Sequence, residues 1–135
     1  MNKYLIVLVV VTSLLLSSCG GGGPSTKINI TLLDFQFTPN TFTVPAGALI
    51  TFKAANTGAV VHNFIIMKLG ASAGPFFDDD DKPNVYWEQL DIQPGGDVTA
   101  TFTAPAEPGE YEILCKTEGH IASGMVGKLI VVAGE

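Results

Sequence analysis

Tyr111-Glu-Ile-Leu-Cys115-Lys-Thr-Glu-Gly-His120-Ile-Ala-Ser-Gly-Met125-Val-Gly-Lys-Leu-Ile-Val-Val132 runs from one apolar segment, through a loop, into another. Tyr111, Ile113 and Cys115 alternate with Glu110 and Glu112, the two-residue period of a half-buried strand. Lys128 to Val132 reads as a further strand, apolar on both faces. The loop between them carries a thiol, an imidazole and a thioether, with four residues between Cys115 and His120 and four between His120 and Met125. Soft sulfur suits Cu(I), and imidazole suits both oxidation states of copper. A complete site needs a second imidazole, and the one other histidine is His62, beside Asn63. The candidate ligand set is therefore His62, Cys115, His120 and Met125. Each has a plainer role when taken alone. His62 reads equally as a structural histidine at a strand end, Cys115 as a small buried hydrophobe and Met125 as core filler. Taken together, they use both histidines and the one cysteine outside the N-terminal segment.

Working outward, alternation recurs along the chain. Ile28, Ile30 and Leu32 interleave with Asn29 and Thr31, Ile50, Phe52 and Ala54 with Thr51 and Lys53, and Val98, Ala100 and Phe102 with threonines. Thr41 to Val44 is a short strand stopped by Pro45; Val60 to Met67 and Asn84 to Ile92 supply others. Turn signals fall at Thr38-Pro39-Asn40, Ala46-Gly47, Asn56-Thr57-Gly58 and Pro94-Gly95-Gly96. Lys68 to Pro83 is irregular, a long loop with one helical turn, and includes Phe76-Phe77 and four aspartates, Asp78 to Asp81. A calcium loop alternates its ligands around a sharp glycine turn, which this run does not do, so it reads as a solvated acidic loop. The expected fold is all-β: a Greek-key antiparallel sandwich or barrel of about seven to eight strands.

The N-terminus has a different character. Met1-Asn2-Lys3 precedes an apolar run from Tyr4 to Leu16, then Ser17-Ser18-Cys19. Residues 1–18 read as a secretion signal, too short for a comfortable membrane span. Residues 19–26 read as a cysteine followed by a flexible Gly-rich tether reaching roughly 15 Å, and residues 27–135 as one domain with one core. Without Lys3, six lysines face thirteen acids, and arginine is absent. Such a surface does not bind nucleic acid or anionic lipid by charge, and suits a basic partner. A cysteine left unpaired in an oxidising compartment is a liability unless buried or committed, and a metal commits it.

These residues carry a family resemblance. Tyr111 to Val132 resembles the copper-binding segment of the cupredoxins. Phe37-Thr-Pro-Asn-Thr-Phe-Thr-Val-Pro-Ala-Gly47, Asn56-Thr-Gly and His62-Asn63-Phe64 resemble the family's N-terminal half. The ligand-loop spacing is nearer the auracyanin and rusticyanin type than plastocyanin. Leu16-Ser-Ser-Cys19 resembles a bacterial lipobox, which implies cleavage before Cys19 and lipidation of its sulfur; multiple acyl chains anchor firmly. The family resemblance implies one type 1 (blue) copper per chain, cycling between Cu(I) and Cu(II) as a one-electron carrier and not as an enzyme. It implies that the Asn63 amide donates a hydrogen bond to the Cys115 sulfur and that the Asn63 side chain ties the two ligand segments together. Implied partners are a cytochrome, a membrane oxidoreductase complex or a reaction centre. They would meet a monomer, lipid-anchored outside the cytoplasm, at an exposed His120 edge rimmed by Val60, Ile121 and Ala122. Two alternatives stay open. A copper chaperone or store would carry more than one copper per chain; a thiol enzyme would need a group orienting the Cys–His pair, and none is evident.

Overall fold

The computed structural model describes residues 22–134; the proposed signal segment and Cys19 lie outside them. Nine strands follow in order: β1 (Lys27–Leu33), β2 (Gln36–Thr38), β3 (Thr41–Pro45), β4 (Leu49–Asn56), β5 (His62–Met67), β6 (Val85–Ile92), β7 (Asp97–Thr103), β8 (Gly109–Leu114) and β9 (Val126–Val132). They form two sheets, β2-β1-β4-β7 and β3-β9-β8-β5-β6. The sandwich class is as expected, with nine strands in place of seven or eight. The added count includes β2, which returns over only three residues against the end of β1 and pairs Leu32 with Phe37. The pairing is not purely antiparallel. β1 runs parallel to β4, with Ile28 opposite Phe52, and β3 runs parallel to β9, with Val44 opposite Val131. Alternation reports which face of a strand is buried and nothing about its neighbour's direction, so these two pairs were not legible in it.

Where alternation is clean, burial follows it. Ile28, Ile30 and Leu32 of β1 and Ile50, Phe52 and Ala54 of β4 point inward, their intervening residues outward. Between the sheets Phe64 stands at the centre of an aromatic cluster. Its ring centroid lies 4.7 Å from Phe52, 5.8 Å from Phe37, 6.4 Å from Phe42 and 6.3 Å from Trp87. Trp87 stacks on Phe102 at 4.5 Å and so ties β6 to the facing sheet. Offset and edge-on contacts of this kind add about 0.5–1.5 kcal/mol per pair beyond the area buried.

β5 does not alternate: all six of its residues are buried. Phe64 and Ile66 join the main core, whereas Ile65 and Met67 face the other way, with Leu114 and Ile121. The 68–83 segment covers that second face. Ala71, Ala73 and Phe77 pack on it, and Glu112 accepts a hydrogen bond from the Ala73 N–H at 3.2 Å. Its acidic tip stays in solvent. The Asp78 and Asp81 carboxylates accept hydrogen bonds from the loop's own N–H groups, Asp79 pairs with Lys82 at 2.6 Å, and a 3-10 turn follows at Lys82–Asn84. The irregular segment thus shields the outer face of β5, the interior strand that starts with His62.

Candidate metal centre

The two ligand-bearing segments meet at one end of the sandwich. His62 opens β5, and the loop after β8 carries Cys115, His120 and Met125. Backbone hydrogen bonds close that loop on itself: Cys115 N–H donates to the Met125 carbonyl at 3.2 Å, His120 N–H to Thr117 at 3.0 Å and Met125 N–H to His120 at 2.9 Å. Gly119 (φ +79°) and Gly124 (φ +96°) take the left-handed positions where the loop reverses. On the other side, Asn56 shapes the approach to β5. Its Nδ2 donates to the Val60 and Ile92 carbonyls at 2.9 and 2.8 Å, and its Oδ1 accepts from Gly58 N–H at 2.9 Å.

His62, Cys115 and His120 are all buried, and their ligating atoms lie within 4.8 Å of one another. Both imidazoles turn Nδ1 inward: His62 Nδ1 is 3.8 Å from Cys115 Sγ, and His120 Nδ1 is 3.6 Å from it. Met125 Sδ, fully buried, is 3.2 Å from His120 Nδ1. These spacings test the fit of an ion. With bonds of about 2.0 Å to nitrogen and 2.3 Å to sulfur at trigonal angles, nitrogen and sulfur stand about 3.7 Å apart. The two nitrogen–sulfur separations, 3.8 and 3.6 Å, match. The donor chemistry matches as well, because a trigonal His2Cys set with a weak thioether is selective for copper in an electron-transfer site.

The surroundings hold the donors in place. The Asn63 N–H donates to Cys115 Sγ at 3.3 Å. Asn63 Nδ2 donates to Thr117 Oγ1 at 3.2 Å, Asp91 N–H donates to Asn63 Oδ1 at 3.1 Å, and Thr117 Oγ1 donates to the Val61 carbonyl at 2.8 Å. Through Asn63 the start of β5 is hydrogen-bonded to the ligand loop and to a third segment, β6. Thr117, which also lies 3.4 Å from Cys115 Sγ, was not singled out in the sequence; its position two residues after the cysteine was the available signal.

Two further residues come from the turn between β1 and β2. Asp34 places Oδ1 3.3 Å from His62 Nε2, and Phe35 lies over His120 with ring centroids 5.0 Å apart. His120 is therefore only 3% exposed, whereas Phe35 is 50% exposed. The open His120 edge expected from the sequence is closed by Phe35. Val60 and Ala122 are exposed, and Ile121 is mostly turned inward to the second cluster.

Burial pushes the His62 pKa below the ordinary histidine value, opposed by the Asp34 carboxylate. Burial does the same to His120, with the neighbouring His62 charge acting in the same sense. Both rings are thus neutral at pH 7, the state in which imidazole donates a lone pair to a metal. In the metal-free chain the unfolded state takes up protons near pH 6.5, before the folded state does. Stability is then full above the unfolded pKa and falls as pH drops through the window down to the folded values. Urea midpoints of the metal-free chain should decline from pH 7 to pH 5, and a flat profile would contradict neutral buried imidazoles.

Two imidazoles, a thiol and a thioether, gathered at the end of a two-sheet Greek-key sandwich, are arranged as a type 1 copper site. The chain belongs to the family of cupredoxin-like domains, whose sequence pattern matches residues 5–131. The copper-resistant cuproprotein CopI of Rubrivivax gelatinosus is 30% identical over 101 residues, 71% of this chain and 59% of that one. The chain thus spans little more than half the length of that relative. Plastocyanin of Mercurialis perennis is 32% identical over 106 residues, 73% of this chain and 89% of that one. Among solved structures, reduced auracyanin from the photosynthetic bacterium Roseiflexus castenholzii superposes with a TM-score of 0.70 at 35% identity, covering 82% of this chain and 99% of that one.

Proposed function

We propose that the chain is a blue copper electron carrier in which His62 Nδ1, the Cys115 thiolate and His120 Nδ1 would hold one copper ion, with the Met125 thioether as a fourth, weaker donor. The observation that carries this reading is the convergence of the three buried donors at separations that suit a trigonal ion. The bound metal would supply a one-electron couple between Cu(I) and Cu(II). The protein's part is to keep the donors still and dry. Cys115 is wholly buried, its sulfur accepts the Asn63 N–H, and both ligand segments are bound to one another through Thr117. Phe35, half exposed and lying on His120, is the surface through which electrons would pass to a redox partner. The similarity to plastocyanin and auracyanin supports a carrier over an enzyme.

The proposed setting is outside the cytoplasm, with Cys19 lipidated and the domain tethered to a bacterial membrane. A redox protein such as a cytochrome, a membrane oxidoreductase complex or a reaction centre would be its partner there. No helix among the described residues is long and apolar enough to cross a membrane. Cys19→Ser should release the chain from the membrane fraction, and continued sedimentation with membranes would contradict the anchor.

Titration with Cu(II) tests the central reading: the copper-loaded chain should gain the intense visible absorption of a copper–thiolate bond, and a colourless product would refute it. Met125→Leu should keep that colour and raise the reduction potential, because removing a donor disfavours the more charged ion; an unchanged potential would remove Met125 from the ligand set. The alternative is an extracytoplasmic copper chaperone or storage protein, which the similarity to CopI, a copper-resistant cuproprotein, supports less well than it does a carrier. Metal stoichiometry separates the two. One copper per chain is expected of a carrier, and more than one would favour handling.

A further inference from the structure

His62 has two ring nitrogens in different surroundings. Nδ1 faces Cys115 and the other candidate ligands, whereas Nε2 points away from them, toward the turn between β1 and β2. The ring is fully buried, and Nε2 is the one buried side-chain polar atom among the described residues that lacks a directed hydrogen bond. A buried donor left without a partner destabilises the fold. The group opposite it is the Asp34 carboxylate, with Oδ1 at 3.3 Å, at ion-pair range but off the direction of a good hydrogen bond.

Several features place that carboxylate there. The Ala59 N–H donates to both of its oxygens, at 2.9 and 3.1 Å. Gly58 leaves the space in which carboxylate and imidazole meet. A Cβ on Gly58 would overlap Asp34 Oδ1 and would lie 2.6 Å from His62 Nε2. The next residue, Phe35, holds a left-handed φ of +65°, uncommon for a bulky side chain, and this turns its ring over His120. One short turn therefore reaches both imidazoles, one by charge and one by packing.

We propose that Asp34 is a positioning residue for the metal centre, its carboxylate accepting the His62 Nε2–H. The inference rests on the copper reading above. With the proton fixed on Nε2, the Nδ1 lone pair is free for the metal, so the turn selects the tautomer the site requires. The carboxylate has a second effect. Its negative charge, relayed through a ring shielded from water, stabilises the 2+ ion more than the 1+ ion and holds the reduction potential down.

Two substitutions in the full chain separate the effects. Asp34→Ala removes hydrogen bond and charge together. Zn(II) affinity, measured by competition with a chelator, should fall about 10–100-fold, the usual loss when such an outer partner is removed. Its copper potential should rise; a tenfold weakening confined to Cu(II) corresponds to about 59 mV. Asp34→Asn keeps an acceptor oxygen of the same shape and is the variant to use if Asp34→Ala does not fold. It should hold Zn(II) more tightly than Asp34→Ala and still show the raised potential. In the Zn(II)-loaded parent, the His62 Nε2 proton should resonate downfield and move upfield in Asp34→Asn. A potential unchanged in Asp34→Asn, or Zn(II) affinity unchanged in Asp34→Ala, overturns the role of Asp34 while the metal centre stands. A parent chain that binds neither metal overturns both.

Discussion

Cys115→Ser should remove the copper–thiolate colour completely and leave a folded sandwich. The sulfur is the one soft donor among the three buried groups that converge at the site, and a copper–thiolate absorption requires it. A serine hydroxyl neither ionises at neutral pH nor reaches as far. It is, however, close in size to the thiol and still accepts the Asn63 N–H that now points at Sγ from 3.3 Å. That donor is buried and keeps a partner, so the fold loses at most about 1–3 kcal/mol. Visible absorption and EPR of the copper-treated variant report on the site, and far-UV circular dichroism reports on the fold. A variant that stays blue would show that Cys115 is not a ligand. One that unfolds would show that the thiol serves the core first.

Phe64→Ala should give the largest loss of stability among single core truncations. The residue is fully buried and two positions after His62, and its ring meets Phe37, Phe42, Phe52 and Trp87 from both sheets. Truncating a buried phenylalanine costs about 3–5 kcal/mol, which for a domain of this size lowers the melting temperature by about 10–20 °C. Because β5 carries both this ring and His62, copper affinity should fall as well. Thermal melts of the metal-free chain isolate the packing effect. A loss below about 1 kcal/mol would mean that the cluster relaxes around the gap and that Phe64 does not anchor β5.

The donor inventory was legible in the residues alone. The chain has two histidines, and the one cysteine beyond the N-terminal segment sits in the loop before β9, so the set His62, Cys115, His120 and Met125 admitted few substitutes. Strand faces were legible for the same local reason. Ile28, Ile30 and Leu32, or Phe52 and Ala54, declare their buried side through a two-residue period that needs no partner. What lay beyond that reach depends on which segments become neighbours. The parallel pairings of β1 with β4 and β3 with β9, the cover that residues 68–83 lay over Ile65 and Met67, and the closing of His120 by Phe35 join positions remote in sequence. Asp34 is the sharpest case. On the chain it is one acid between Leu33 and Phe35, and only the folded turn sets its carboxylate against a ring 28 residues away, through a gap that Gly58 leaves open.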